Sequence, residues 1–372
     1  MNIEPRTVAV TGANGFIGSN LVVRLREAGH RVDSIGRGAA EADVAHRLAG
    51  ADVVFHLAGC NRSDERDDFD RDNAGFSELV AGAIAAGGNR PLLVYSSSAK
   101  AGEDSDYGRT KLAAEQALMA LASQGQATVS IWRLPNVFGK WARPDYNSAV
   151  ATFCHNIARG LPIRIDDPAA PIDLLYIDDL MDQWLQLLET PTPRSGLAEP
   201  GAVHRTSVGQ VAETIESFDS SRSGRPIGDV GYGLERALYA TFVAALPTAR
   251  AAYALEAHDD QRGRFVEMLR TGSCGQISVL TAPPGTTRGG HYHHSKVEKF
   301  LVVRGQALFR FRHVLNGERF EKVASAAEPE IVETIPGWTH DLTNIGTDEM
   351  IAMIWASELF DPRRPDTIAM PL

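Results

Sequence analysis

Three stretches hold residues whose types and spacing suit catalysis. In Gly289-Gly290-His291-Tyr292-His293-His294-Ser295-Lys296-Val297-Glu298, three histidines, a lysine and a glutamate lie within ten positions. His291 and His293, at i and i+2, project from one face of a strand. A turn at Ser295-Lys296 would bring Glu298 back on the neighbouring strand, so that two imidazoles and a carboxylate meet as a donor set for a divalent metal. In Tyr107-Gly108-Arg109-Thr110-Lys111 a phenol and an ammonium sit four residues apart, on one face of a helix. A nearby ammonium favours the phenolate and is expected to lower the tyrosine pKa, letting Tyr107 exchange a proton near neutral pH. The third stretch, Thr11-Gly12-Ala13-Asn14-Gly15-Phe16-Ile17-Gly18, is a glycine-rich turn of the kind that lets a pyrophosphate rest on a helix N-terminus.

These residues need elements to hold them. Up to about residue 135, β-branched runs (TVAVTG, HRVDSIG, ADVVFHLAG, PLLVYSSS, TVSIWRLP) alternate with segments of helical period, the pattern of a parallel, doubly wound sheet. The glycine turn falls between a predicted strand and a predicted helix, the context its chemistry requires. From about residue 264 the strands become closely spaced. In Ala307-Leu308-Phe309-Arg310-Phe311-Arg312 the apolar Ala307, Phe309 and Phe311 face one way and the arginines the other, as in a half-buried strand of an all-β barrel or sandwich. A chain of 372 residues exceeds what one core usually serves, about 250–300 residues. Two domains are expected, 1–250 and 251–372, joined after the Leu234–Leu246 helix by Pro247 and an Ala-rich connector.

A dinucleotide site of this kind carries an acidic residue at the end of its second strand when it takes NADH. Here that place reads Ile35-Gly36-Arg37-Gly38, and Arg37 suits a 2′-phosphate, so NADPH is the expected cofactor. The net charge of −10 repels phosphate backbones and argues against nucleic-acid binding. Apolar runs stop well short of the ~20 residues a bilayer needs, so no membrane insertion is expected and the chain reads as cytoplasmic. Cys60, Cys154 and Cys274 are isolated and read as small core residues.

The TGxxGxxG start, the Tyr107-x3-Lys111 pair and Ser96-Ser97-Ser98 at a strand end together resemble the short-chain dehydrogenase/reductase superfamily, in its extended, nucleotide-sugar branch. The resemblance covers about residues 5–246 and takes in His56-Leu57-Ala58-Gly59 and Arg133-Leu134-Pro135-Asn136-Val137-Phe138-Gly139. It implies a Rossmann-type fold in which Gly12, Asn14, Gly15, Phe16, Ile17, Gly18, Arg37, Leu57, Ala58, Gly59 and Leu134 surround the cofactor. It makes Ser98, with Ser97 as the alternative, the partner of the reacting oxygen, Tyr107 the acid and Lys111 the ribose ligand. Asn136, Arg143 and Asn147 are candidate substrate contacts. Asn73-Ala74-Gly75 is one residue shorter than the usual Asn-x-x-Gly, which places Asn73 outside the expected site.

The spacing Gly285-x5-His291-x-His293-x4-Glu298-x6-Gly305 resembles the cupin superfamily, and Pro336-Gly337-Trp338-Thr339-His340 resembles its second motif. That resemblance implies a barrel and adds His340 as a fourth ligand. The donor set suits zinc, iron, manganese or nickel, with zinc expected first. Asp260-Gln261-Arg262-Gly263-Arg264-Phe265 is similar to the DxRGxF stretch of cupin-type deoxysugar epimerases. The pairing of both halves, with RLPNVFGKW, NSAVATFC and DPRRPDT, resembles the family of bifunctional capsular-polysaccharide enzymes. It implies a UDP-linked 4-keto-2-acetamido-6-deoxyhexose substrate, metal-assisted C3 epimerisation and NADPH reduction at C4 to UDP-2-acetamido-2,6-dideoxy-L-talose. Lys296 is the first choice for the epimerisation base, ahead of His294 and Tyr292, and a homodimer is expected. The alternatives are a reductase of another, dTDP-linked, keto sugar and a cupin that only binds or dimerises.

Overall fold

Runs of Val, Ile, Leu and Phe bounded by Gly, Pro and polar turns form the strands of the first half. In the computed structural model, which describes residues 4–36, 38–63, 65–190, 192–363 and 365–372, they are β1 (Thr7–Thr11), β2 (Arg31–Ile35), β3 (Val53–His56), β4 (Leu92–Ser98), β5 (Thr128–Leu134), β6 (Asn136–Phe138), β7 (Pro171–Tyr176), β8 (Gly196–Ala198) and β9 (Val203–Ser207). A parallel sheet runs β2-β1-β3-β4-β5-β8, and β6, β7 and β9 form a small second sheet. Every described residue of β3 and β4 is buried, as expected of parallel strands covered on both faces. The strand order reverses between β1 and β3, and a crevice opens beyond the carboxyl ends of strands at such a point.

Three helices matter for the site: α1 (Phe16–Glu27), α2 (Phe76–Gly87) and α3 (Asp106–Ser123). Val80 and Ile84 of α2 and Ala114 and Leu118 of α3 pack on Ala9, Val54, Leu93 and Val129 of the sheet. Among the described residues no helix is long and apolar enough to cross a membrane.

The chain divides into two compact units: Met1–Ile215 with Ala237–Leu246, and Glu216–Arg236 with Pro247–Leu372. A single boundary at 250 therefore leaves out one excursion. Residues 216–236 group with the second unit because Ile227 N–H donates to the Arg270 carbonyl at 2.9 Å and the Arg250 guanidinium meets Asp219 at 2.7 Å.

The second unit is all β after residue 256: β10 (Ala257–Asp260), β11 (Gly263–Thr271), β12 (Gly275–Ala282), β13 (Thr287–Tyr292), β14 (Glu298–Arg304), β15 (Gln306–His313), β16 (Arg319–Ser325), β17 (Ile331–Glu333), β18 (Trp338–Asn344), β19 (Met350–Ala356) and β20 (Ile368–Ala369). They form two sheets, β10-β11-β12-β19-β14-β17 and β16-β15-β18-β13-β20. Leu280, Phe300 and Val302 of the first share one core with Phe309, Phe311 and Leu342 of the second, the antiparallel barrel expected from the strand alternation. Cys60 and Cys154 are buried as expected, whereas Cys274 is exposed, in the tight β11–β12 turn.

Candidate functional site

The first site is built at the crevice between β1 and β3. Gly12 follows β1 with φ +67°, and a Cβ there would lie 2.7 Å from the Ala58 nitrogen; one on Gly18 would lie 2.2 Å from the Gly12 carbonyl. Only glycine fits both places. Gly15 caps α1 without a side-chain hydrogen bond, so the first-turn N–H groups, at Phe16 and Ile17, remain for an anion. Asn14 is exposed, with its amide beside Gly36 at the end of β2. Thr11 Oγ1 accepts the Leu57 and Ala58 N–H groups at 3.1 and 3.2 Å, tying the two strand ends together beside Gly59. Leu134 closes β5, buried. This cradle suits a dinucleotide pyrophosphate. Arg37 lies outside the described residues. Gly12→Ala is expected to lower stability by roughly 1–3 kcal/mol and to weaken dinucleotide binding; denaturant unfolding and NADPH fluorescence titration measure the two effects.

Beneath the crevice runs a buried hydrogen-bond chain. The Ser77 hydroxyl donates to the Asn73 carbonyl at 2.7 Å, His56 Nε2 lies 2.9 Å from Ser77 Oγ, and His56 Nδ1 lies 2.8 Å from Thr11 Oγ1. Burial pushes the His56 pKa down to about 3, so the ring is neutral. Since Ser77 already donates, the network assigns the proton to His56 Nε2. Asn73 is part of this arrangement, contrary to the expectation from its shortened motif. It lies in a π-helical turn, Asp70–Gly75, accepts the Cys60 N–H at 2.9 Å and donates to the Cys60 carbonyl at 3.0 Å. It thus braces the strand end that carries Gly59.

The reactive pair comes from β4 and α3. Ser105 caps α3 by accepting the Gly108 N–H at 3.0 Å, which starts the helix in the register that puts Tyr107 and Lys111 on one face. The Ser98 side chain stands close enough to the Tyr107 phenol to act on its titration. Ser97 instead donates to Glu115 at 2.5 Å, and Glu115 is forked by Arg133 at 2.7 and 3.0 Å. Of the two serines, Ser98 is therefore the one that meets Tyr107. Lys111 is buried and donates to the Ser96 carbonyl at 3.0 Å and the Tyr95 hydroxyl at 3.3 Å. The expected lowering of the Tyr107 pKa is not what the structure has: burial pushes it up, opposed by the neighbouring Ser98 side chain. Lys111 gives two of its three donors to β4, and burial holds its own pKa down to about 8.

A cavity of about 490 Å³ in the same unit is lined by Asn136 and Asn147, two of the candidate substrate contacts, and by Arg62, Tyr146, Ser148 and Ile172 among others. Arg143 sits apart from that lining, exposed, with its guanidinium 5.6 Å from the Tyr146 ring. Arg62, which donates to the Tyr146 carbonyl at 2.9 Å, had no motif to reveal it.

In the second unit the donor atoms of His291, His293, Glu298 and His340 all lie within 4.8 Å of one another. His291 and His340 come from paired strands, β13 and β18. Glu298 opens β14, which pairs with β17 and β19. The hairpin expected at Ser295-Lys296 is therefore absent: residues 293–297 cross from one sheet to the other, so the carboxylate faces the imidazoles across the barrel. His293 Nε2 and His340 Nε2 are buried without hydrogen-bond partners, 3.4 and 3.6 Å from Glu298 Oε2. Two ligands about 2.1 Å from one ion at a tetrahedral angle stand about 3.4 Å apart, so these separations suit donors sharing a cation better than hydrogen bonds. Burial, then His340, lowers the His291 pKa to about 4, giving the neutral lone pair that a metal requires. Burial alone would raise the Glu298 pKa, but the neighbouring His293 and His340 imidazoles and Lys296 hold its carboxyl well below the usual range. Lys296 is buried, 3.6 Å from Glu298 Oε1 and 3.1 Å from Thr367 Oγ1.

Comparison with known proteins agrees with this layout. Residues 8–196 match the NAD dependent epimerase/dehydratase family, and residues 258–368 match the polysaccharide biosynthesis C-terminal domain. The chain is 46% identical over 363 residues to the UDP-2-acetamido-2,6-beta-L-arabino-hexul-4-ose reductase of Pseudomonas aeruginosa, covering 97% of this chain and 98% of that protein. Among solved structures, the capsular polysaccharide assembling protein CapF of Staphylococcus aureus superposes with a TM-score of 0.89 at 35% identity, over 98% of this chain and 100% of that one. A structure of CapF with the inhibitor 3-isopropenyl-tropolone gives 0.85 at 33% identity over 98% and 100%.

Proposed function

The chain belongs to the NAD dependent epimerase/dehydratase family, and from that premise we propose that it is a bifunctional enzyme of UDP-linked 2-acetamido-6-deoxy-4-ketohexoses. The second unit inverts C3 and the first reduces C4, giving UDP-2-acetamido-2,6-dideoxy-L-talose for a surface polysaccharide. The observation that carries this reading is a Ser98–Tyr107 pair and a four-donor pocket in one chain whose likeness to the Pseudomonas reductase spans both.

In the first unit the cavity beside Asn136 and Asn147 takes the sugar nucleotide. Ser98 and Tyr107 hydrogen-bond the C4 carbonyl oxygen. Tyr107, kept protonated by burial, gives that oxygen its proton. NADPH, when bound, supplies the hydride; the lack of an acidic residue at the end of β2 favours it over NADH. Lys111 holds the nicotinamide ribose.

In the second unit His291, His293, Glu298 and His340 hold a divalent metal, zinc first among the candidates. When bound, the metal supplies positive charge that stabilises the anion formed as C3 loses its proton. Lys296, as the free amine, removes the C3 proton, and a proton delivered to the opposite face of the resulting anion completes the inversion. Lys296→Met is expected to slow C3–H exchange in deuterated water by about 10²- to 10⁴-fold with metal content unchanged; wild-type exchange would move the base to another residue. The reading as a whole is tested by the product formed from the UDP-4-keto-2-acetamido-6-deoxyhexose and NADPH. Inverted C3 and reduced C4 support it, and a reduced product with C3 retained would remove the epimerase half.

A further inference from the structure

The turn from His293 to Val297 carries a ligand at its start and leads into another at Glu298. Loops of this length are free to move unless something outside them holds the backbone. Here the backbone N–H groups of His294, Ser295 and Lys296 all donate to the carboxylate of Asp366, each at 2.8 Å, and the Ser295 hydroxyl adds a fourth hydrogen bond at 3.0 Å. Successive N–H groups that converge in this way form an anion cradle, and Asp366 fills it. The same residue's carbonyl accepts His293 Nδ1–H. A histidine whose Nδ1 donates keeps its Nε2 lone pair, and His293 Nε2 is the buried, unpartnered atom beside Glu298.

The residues that follow continue the contact. Thr367 Oγ1 accepts a hydrogen bond from Lys296 Nζ at 3.1 Å. Ile368 and Ala369 pair with Tyr292 and His291, Met370 N–H donates to the Gly290 carbonyl at 2.8 Å, and the Met370 carbonyl accepts the hydroxyl of Thr339, the neighbour of His340. Arg312 donates to the Pro371 carbonyl at 2.8 Å. One strap thus contacts the chain at or beside His291, His293 and His340.

We infer that Asp366 is the positioning residue of the metal centre and that the strap Asp366–Pro371 is part of that centre. The inference rests on the metal-centre reading above. Outer hydrogen bonds of this kind typically contribute 10- to 100-fold to metal affinity. An asparagine at 366 keeps the main-chain carbonyl but has one acceptor oxygen in place of a carboxylate, so it cannot satisfy three N–H groups and a hydroxyl equally.

The test uses the full-length, metal-stripped chain. Zn²⁺ affinity is measured by competition with a chromophoric chelator, and Co²⁺ is titrated for its d–d spectrum. Asp366→Asn is expected to bind Zn²⁺ about 10- to 100-fold more weakly, with an altered Co²⁺ spectrum and faster amide exchange at His294–Lys296. Asp366→Glu, which restores the charge, is expected to recover part of the affinity. The far-UV circular dichroism and C4 reduction of pre-epimerised ketone should stay at wild-type values in both. Wild-type Zn²⁺ affinity and Co²⁺ spectrum in Asp366→Asn would overturn the proposal while leaving the metal centre intact. Failure of the unsubstituted protein to bind either ion would overturn the metal centre, and the proposal with it.

Discussion

Tyr107→Phe is expected to lower kcat for C4 reduction by about 10²- to 10⁴-fold, the usual contribution of a positioned acid, while C3–H exchange proceeds at the wild-type rate. The substitution removes one oxygen and leaves the ring, its contact with Phe69 at 6.2 Å between centroids and the capped start of α3. NADPH affinity should therefore change little, and the loss should fall on kcat rather than KM. The Ser98 hydroxyl still accepts the Lys100 N–H at 3.2 Å. The pH profile carries a second expectation. Burial lowers the Lys111 pKa to about 8, so the ammonium is present below that pH and lost above it. For the free enzyme kcat/KM should decline above about pH 8, and the same limb should vanish from the small residual activity of Lys111→Met. A tyrosine whose pKa had been lowered would instead leave the reductase failing as the phenol ionised, with Lys111→Met moving that limb upward. An undiminished kcat in Tyr107→Phe would remove Tyr107 from the chemistry altogether.

How far the sequence foretold these sites depends on the range over which each is built. Local spacing was sufficient for Tyr107 and Lys111, because four residues of helix fix their common face. It was sufficient for the Gly12–Gly18 turn too, because the close approach to Ala58 is a property of the glycines themselves. Alternation placed Phe309 and Phe311 inside β15 correctly, since a strand's period is set by its own backbone. Local spacing misled where the partner is remote. His293 and Glu298 look like the two arms of a hairpin, yet β14 pairs with β19, some fifty residues further on. A lysine beside a tyrosine looks like a pKa-lowering pair, yet β4 takes the lysine's hydrogen bonds and burial dominates the phenol. Asp366 and Arg62 lie in no motif of their own, and only the fold brings them to the ligand turn and the cavity. Residues 216–236 show the same limit at domain scale, for their grouping rests on single contacts such as Ile227 with Arg270.

His340→Ala or removal of the metal by chelation should abolish C3 epimerisation and spare reduction. Stabilising the charge on the sugar anion is worth several kcal/mol, and each 1.36 kcal/mol is tenfold in rate, so a fall in C3–H exchange of about 10³-fold or more is expected. C4 reduction of ketone supplied already epimerised should stay within about twofold, because Ser98, Tyr107 and Lys111 all belong to the other unit. The substitution removes one of the two imidazoles nearest Glu298 Oε2, leaving a half-buried carboxylate with less compensation and a coordination set short of a donor. Asp341, forked by Arg310 at 2.6 and 2.9 Å, still anchors β18 beside the gap. Chelation of the unsubstituted protein tests the same step without any change of packing, and stoichiometric Zn²⁺ should restore exchange. If exchange persists in the stripped protein at its original rate, the four donors hold a structural ion or none, and proton transfer at C3 must be charge-stabilised by other groups. If both exchange and reduction collapse together, the ion supports the fold of the whole chain, and the division of chemistry between the two units is wrong.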